Sequence, residues 1–286
     1  MEKDIDFSNN EVTHVKKGKI EYLTFNALDK YNDKVLAVVT LRNGGVSKGE
    51  YDSLNFRLAS KDKKENIFEN LNIICKELGL NPKEIYKAKQ AHTDVIKHIT
   101  DENKNDYMFE VNNNEEIDGY ITDKGITTLV TTADCNAVII YDTKNNKVAN
   151  VHSGWKGTIK KIYIQAIEKM QKEFKSNPKD LIVCVSPSVQ SCCFSSEDKE
   201  FKKLFTDVWP YEYEYITQDK FNPNRFHIDL SYVIKKDLIN KGVLEENIHF
   251  AGICTCCNDK HFYSYRSKTK KQESDYGCMA TIVKIK

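Results

Sequence analysis

The sequence predicts an α/β fold, a layered domain built on a mixed sheet. Apolar, β-branched segments of strand length recur from residue 20 almost to the C-terminus, and three longer segments repeat their apolar residues at helical spacing. The two kinds are interleaved without the regular alternation of a doubly wound fold.

Val35 to Thr40 reads as a strand ending in a Gly44-Gly45 turn, and Lys63 to Leu80 as an amphipathic helix closed by Gly79, with Pro82 beyond it. Thr127 to Thr132 and Ala137 to Tyr141 are β-branched or apolar runs. Lys147 to Val151 follows a polar turn from Asp142 to Asn146, which predicts a hairpin. After His152-Ser-Gly-Trp-Lys-Gly157 the period changes to that of a helix, expected from Thr158 to Phe174. A strand at Leu181 to Val185, a helix at Asp229 to Lys241 and strands at Ile248 to Ile253 and Met279 to Ile285 complete the pattern.

No internal repeat and no Pro/Gly/Ser-rich linker interrupts these segments, so residues 1–286 are expected to form one domain, with residues 1–18 a flexible N-terminal extension. A chain of 286 residues is long enough to bury roughly three quarters of its unfolded surface. The 43 Lys and Arg oppose 42 Asp and Glu, which leaves a weak net field and no electrostatic reason to expect nucleic acid or an acidic membrane as partner. A small-molecule substrate is expected instead. The polar N-terminus lacks the apolar core of a signal peptide, and no apolar run reaches membrane-spanning length, so a cytoplasmic location is expected. Nine cysteines then read as reduced thiols, and the Asn112 to Asn114 run as compositional bias.

Catalytic zinc sites commonly take three protein ligands from separate segments and keep a fourth position open. Gln90-Ala-His92, Asp134-Cys135 and His152 supply such ligands at expected strand ends, although their spacing matches no zinc finger and also suits a buried cysteine with two hydrogen-bonded histidines. Gly154 and Gly157 lie in a turn expected to enter a helix, where backbone N–H groups and Lys156 could meet an anion; the plainer reading is a tight connection with Trp155 in the core. Arg42, Asn55 and Arg266 are further candidates for binding a phosphate, sugar or base. Cys254, Cys256 and Cys257 look like a metal cluster at first sight. Because the other dense pair is Cys192-Cys193, and adjacent cysteines rarely chelate one ion, these thiols are expected to stay free.

Taken in order, Thr40-Leu-Arg-Asn-Gly-Gly-Val-Ser47, Tyr51-Asp-Ser-Leu-Asn55, Gln90-Ala-His92, Thr132-Ala-Asp-Cys135, His152-Ser-Gly-Trp-Lys-Gly157, Ser186-Pro187 with Cys192-Cys193-Phe194, Cys254-Thr255 and Phe262-Tyr-Ser-Tyr-Arg266 resemble the YfiH family, also called the laccase-domain or multicopper polyphenol oxidoreductase family. The resemblance implies an α/β/α fold related to toxin deamidases and a metal site, zinc with copper possible, whose catalytic ligands are His92, Cys135 and His152. It implies phosphorolysis of adenosine, inosine, guanosine or methylthioadenosine to base and ribose 1-phosphate, with deamination of adenosine beside it. Gly154 to Gly157, Lys156 and Arg42 would then cradle phosphate. Ala137, Lys156, Ser186 and Cys278 depart from the family pattern, and Lys156 keeps charge but loses arginine's bidentate fork.

Other readings stay open at this point. Cys135 and His152 could act as nucleophile and base of an amide hydrolase in peptidoglycan editing. Copper-dependent polyphenol oxidation would ask for more histidines than the seven present. A metal-dependent scaffold would bind zinc and turn nothing over.

Overall fold

A computed structural model describes residues 5–109 and 114–286, so Asn112 and its neighbour at 113 lie outside the described residues. The first part of the chain forms β1 (Val12–Lys17), β2 (Ile20–Phe25), β3 (Val35–Thr40), α1 (Lys64–Leu78), β4 (Ile85–Tyr86), β5 (Ile96–Ile99) and β6 (Gly119–Thr122). Gly79 ends α1 in the left-handed conformation at φ 66°, and its N–H caps the carbonyls of the last turn. Next come β7 (Thr127–Thr132), β8 (Asn136–Asp142), β9 (Lys147–Ser153), α2 (Trp155–Ile159), α3 (Ile162–Phe174) and β10 (Leu181–Val185). Asp142 turns the β8–β9 hairpin by accepting the N–H groups of Lys144 and Asn145, both at 2.9 Å. The chain closes with β11 (Ser195–Ser196), α4 (Lys199–Thr206), β12 (Ile216–Gln218), β13 (Phe226–Ile228), α5 (Leu230–Asn240), β14 (Ile248–Phe250), α6 (Tyr265–Lys271) and β15 (Met279–Ile285).

Two six-stranded sheets carry the fold, ordered β1-β2-β3-β15-β7-β4 and β14-β10-β8-β9-β6-β5, with β11, β13 and β12 in a small third sheet. Both large sheets are mixed. β4–β7, β10–β14 and β5–β6 pair in parallel and the other neighbours are antiparallel. Side-chain alternation explains the layering. Val39 and Val283 of the first sheet meet Ile139, Tyr141 and Val148 of the second in one core, while Val38 and Ile282 face Ile67, Leu71 and Ile74 of α1. Val138, Ile140 and Val151 face Ile162, Ala166 and Ile167 of α3. Helices therefore form the outer layers, as the α/β/α expectation has it, and the middle is two stacked sheets, because both faces of β3, β15 and β8 are apolar.

Two local expectations change. The stretch 1–18, expected to be a flexible extension, contains β1, which pairs antiparallel with β2 from Val12↔Phe25 to Lys17↔Ile20 and buries Val12. The single helix expected from Thr158 to Phe174 is two, α2 and α3, separated where Lys161 adopts a left-handed conformation at φ 54°. Among the described residues no helix is long and apolar enough to cross a membrane.

Candidate metal centre

The two sheets are joined at Ala133 to Cys135, where the chain leaves β7 and enters β8. Asp134 sits at φ 82°, which aspartate tolerates better than most residues. It is fixed there by the Thr255 hydroxyl and the Arg266 N–H, each 2.6 Å from its carboxylate, and its carbonyl accepts the Val189 N–H. Cys135 is thereby turned towards His152 on β9 and His92 on the loop between β4 and β5. Gln90 pins that loop to β7: its side chain donates to the Thr131 carbonyl and accepts from the Thr131 N–H, both at 2.8 Å.

The ligand-competent atoms of His92, Cys135 and His152 all lie within 4.8 Å of one another. His92 Nε2 is 3.7 Å from Cys135 Sγ, and the two imidazole rings meet edge to face with centroids 4.9 Å apart. Asp118, fully buried immediately before β6, organises the group. One of its oxygens is 2.6 Å from His152 Nδ1, which directs the other ring nitrogen of His152 to the centre; its second oxygen accepts the N–H groups of Ala91 and Thr93 and the Thr93 hydroxyl, which frame His92. Burial alone would raise the Asp118 carboxyl, but the bonds from His152 and Thr93 outweigh it and hold it at about 2.

The electrostatics fit a cation. Burial, and next the neighbouring His152, lowers the His92 imidazole, which favours the neutral, ligating form. Burial and then the nearby Asp134 push the Cys135 thiol up, so its thiolate needs a positive partner. A Cβ on Gly154 would lie 2.7 Å from His92 Cδ2 and 2.9 Å from Cys135 Sγ, so the space beside the donors exists only with glycine at this position. Asp118→Asn is expected to keep the fold but lower metal affinity or activity about 10- to 100-fold, measured by metal competition and steady-state rates.

These donors open onto a cavity of about 1130 Å³. Arg266 lines it and is steadied by donating to the Ser195 carbonyl at 3.2 Å. Lys87 and Arg57 also line it, and neither stands out in a lysine-rich sequence. Burial lowers Lys87 to about 8, and Arg57 packs its guanidinium 4.1 Å from the Tyr276 ring centroid while pairing with Asp275. Trp155, Phe194 and Phe201 add aromatic wall. Two of the other expected contacts, Arg42 and Asn55, are not among the residues lining the cavity. Arg42 spends its side chain on the carbonyls of Asp52 and Asp259 and on the Tyr263 ring. Asn55 is fully buried, bonding Asp62, Ser60 and the N–H groups of Arg57 and Cys278. Lys156 is exposed on the first turn of the short α2, and its charge contributes to lowering the His92 imidazole.

Comparison with known proteins places most of the chain among relatives of similar fold. The chain is 33% identical to a purine nucleoside phosphorylase of Clostridium acetobutylicum over 77% of this chain and 84% of the relative. It is 27% identical to one of Bacteroides thetaiotaomicron over 85% and 90%. The fold matches the crystal structure of the Bacillus licheniformis hypothetical protein YfiH with a TM-score of 0.83, covering 95% of this chain and 98% of that one at 24% identity. The family model described as multi-copper polyphenol oxidoreductase laccase matches residues 36–286, a span that contains all three candidate ligands, Asp118 and Gly154, and the chain belongs to that family.

Proposed function

We propose that the chain is a zinc-dependent purine nucleoside phosphorylase that also deaminates adenosine. The observation that supports it most is the convergence of His92, Cys135 and His152, braced by Asp118, at the wall of a cavity that carries both cations and aromatic rings. Adenosine, inosine, guanosine and methylthioadenosine share a planar purine, for which the aromatic wall offers stacking surface, and a ribose whose C1′ is attacked by phosphate. In that step a phosphate oxygen bonds to C1′, the C1′–N9 bond breaks, and the base leaves with the bonding pair and takes up a proton.

His92, Cys135 and His152 would hold the ion, which when bound supplies Lewis acidity without redox change. One thiolate with two imidazoles would also suit copper, but a group transfer asks for no electron acceptor. Asp118 keeps His152 in one tautomer and orientation, Gly154 keeps space open, and Arg266 with Lys87 neutralises the phosphate. The Cys–His amide hydrolase reading needs no ion, so metal dependence separates it from this one.

Product analysis of adenosine incubated with and without inorganic phosphate tests the proposal. Adenine and ribose 1-phosphate should form only with phosphate, and inosine should form more slowly in both; equal adenine release without phosphate would overturn phosphorolysis. Lys87→Met and Arg266→Gln should each raise the phosphate KM about 10-fold or more, the loss of one charge-assisted bond, and affect deamination less. Lys156→Ala, which removes an exposed charge felt at His92, should also raise the phosphate KM, by less than either of these.

A further inference from the structure

The fold assembles a second group of metal-competent side chains that the proposed reaction does not use. Cys192 and Cys193 lie on the loop after β10, and Cys254 and Cys257 on the turn after β14. Because β10 and β14 are parallel neighbours, both loops leave the same edge of the sheet. Backbone bonds already stitch them together: the Ser188 N–H donates to the Ile253 carbonyl at 3.2 Å, and the Thr255 N–H to the Ser188 carbonyl at 3.1 Å. Sulfurs 64 positions apart in sequence are thereby brought to 3.5 Å, Cys193 Sγ against Cys257 Sγ, while Cys192 Sγ is 3.6 Å from Cys257 Sγ. The Sγ atoms of all four cysteines lie within 4.8 Å of one another.

These spacings discriminate between kinds of sulfur chemistry. A disulfide brings two sulfurs to about 2.05 Å and leaves the other members of the group out. Four thiolates at about 2.3 Å from one tetrahedral ion are about 3.8 Å apart, close to the separations seen and too tight for a cluster of several metals. Two donors face the sulfurs: the Gln190 N–H points at Cys254 Sγ at 3.5 Å, and the Lys270 ammonium is 3.8 Å from Cys193 Sγ. Cys256 faces Lys270, 3.7 Å away, and stays outside the group of four.

We propose that Cys192, Cys193, Cys254 and Cys257 bind one zinc ion as a closed, structural tetrathiolate site, each thiol releasing its proton to solvent. With four protein ligands the ion has no open position and performs no chemistry. Its effect is mechanical. It clamps together the loop bearing Phe194 and Ser195, which line the cavity, and the turn bearing Thr255, whose hydroxyl holds Asp134 beside Cys135. Of the thiols expected from the sequence to stay free, Cys254 and Cys257 become ligands in this proposal, since the vicinal Cys192 and Cys193 reach the same partner sulfur, and Cys256 stays outside the group.

Zinc content of protein purified under reducing conditions tests this independently of the phosphorylase reading. The wild type should carry two ions per chain, and the His92→Ala/Cys135→Ala double variant should keep one. Zinc-edge X-ray absorption of that variant should show a shell of sulfur only. Adding Cys257→Ser, a change at an exposed position, should remove the remaining ion and lower Tm. A double variant that folds without zinc, whose Cys192 and Cys257 react freely with a thiol reagent or are found as a disulfide by mass, would overturn the proposal. A nitrogen-containing shell on the remaining ion would overturn it as well, and this spectroscopic reading stands even if the triple variant does not fold.

Discussion

Cys135→Ala is expected to remove the ion at the histidine site and to reduce both phosphorolysis and deamination by about 10³-fold or more, because several kcal/mol of charge stabilisation disappear with the metal. The thiol lies where the chain crosses from one sheet to the other, and its loss removes little packing, so Tm should change slightly while activity disappears. Elemental analysis checks the first half. An undiminished zinc content at His92 and His152 in this variant would show that Cys135 is no ligand. Paired measurement of zinc and rate also separates this account from a Cys–His nucleophile, for which the wild type would work without any metal.

Gly154→Ala should be nearly as damaging, and for a reason confined to space. Gly154 has φ −67°, which any residue adopts, so alanine is not excluded by the backbone. Its Cβ would nevertheless sit 2.7 Å from the His92 ring and 2.9 Å from Cys135 Sγ. Either the ligands separate or the His152-to-α2 connection shifts, at an overpacking cost of about 1–3 kcal/mol. The expected result is a folded protein of lower Tm with strongly reduced zinc affinity and turnover. Wild-type zinc affinity in Gly154→Ala, measured by competition with a chromophoric chelator, would mean that the space beside the donors is not where the ion sits.

Strands were the most legible elements in the sequence: Val35 to Thr40, Thr127 to Thr132 and the β8–β9 hairpin are β-branched runs bounded by turn residues, and they occur at the expected positions. The break between α2 and α3 was hidden, because Lys160 and Lys161 carry no glycine or proline to mark it. The doubling of the sheet was hidden too, since apolar residues on both faces of a strand do not say whether a helix or a second sheet covers each face.

At the site, residue type revealed the three donors but not what holds them. Asp118 follows Glu115, Glu116 and Ile117 in a stretch that reads as a solvated acidic turn, and only the pairing of β6 with β9 places it beside His152. The one local signal was a carboxylate immediately before an apolar strand. Arg42 and Asn55 lie in segments of the right kind, yet their polar atoms are consumed by backbone groups and side chains of their own loops and of the segments around Asp259 and Cys278, whereas Arg57 and Lys87 reach the cavity from less conspicuous positions. The cysteine group escaped a reading based on spacing, because Cys193 and Cys257 meet only through the parallel pairing of β10 and β14.

An ion held by His92, Cys135 and His152 should be required for turnover. This requirement is tested most directly by stripping the protein with a chelator and restoring zinc in steps while following phosphate-dependent release of adenine from adenosine. Activity should vanish on stripping and return in proportion to the zinc regained, with Cys135→Ala failing to recover at any zinc concentration. Full phosphorolysis by the stripped wild-type protein would contradict the account.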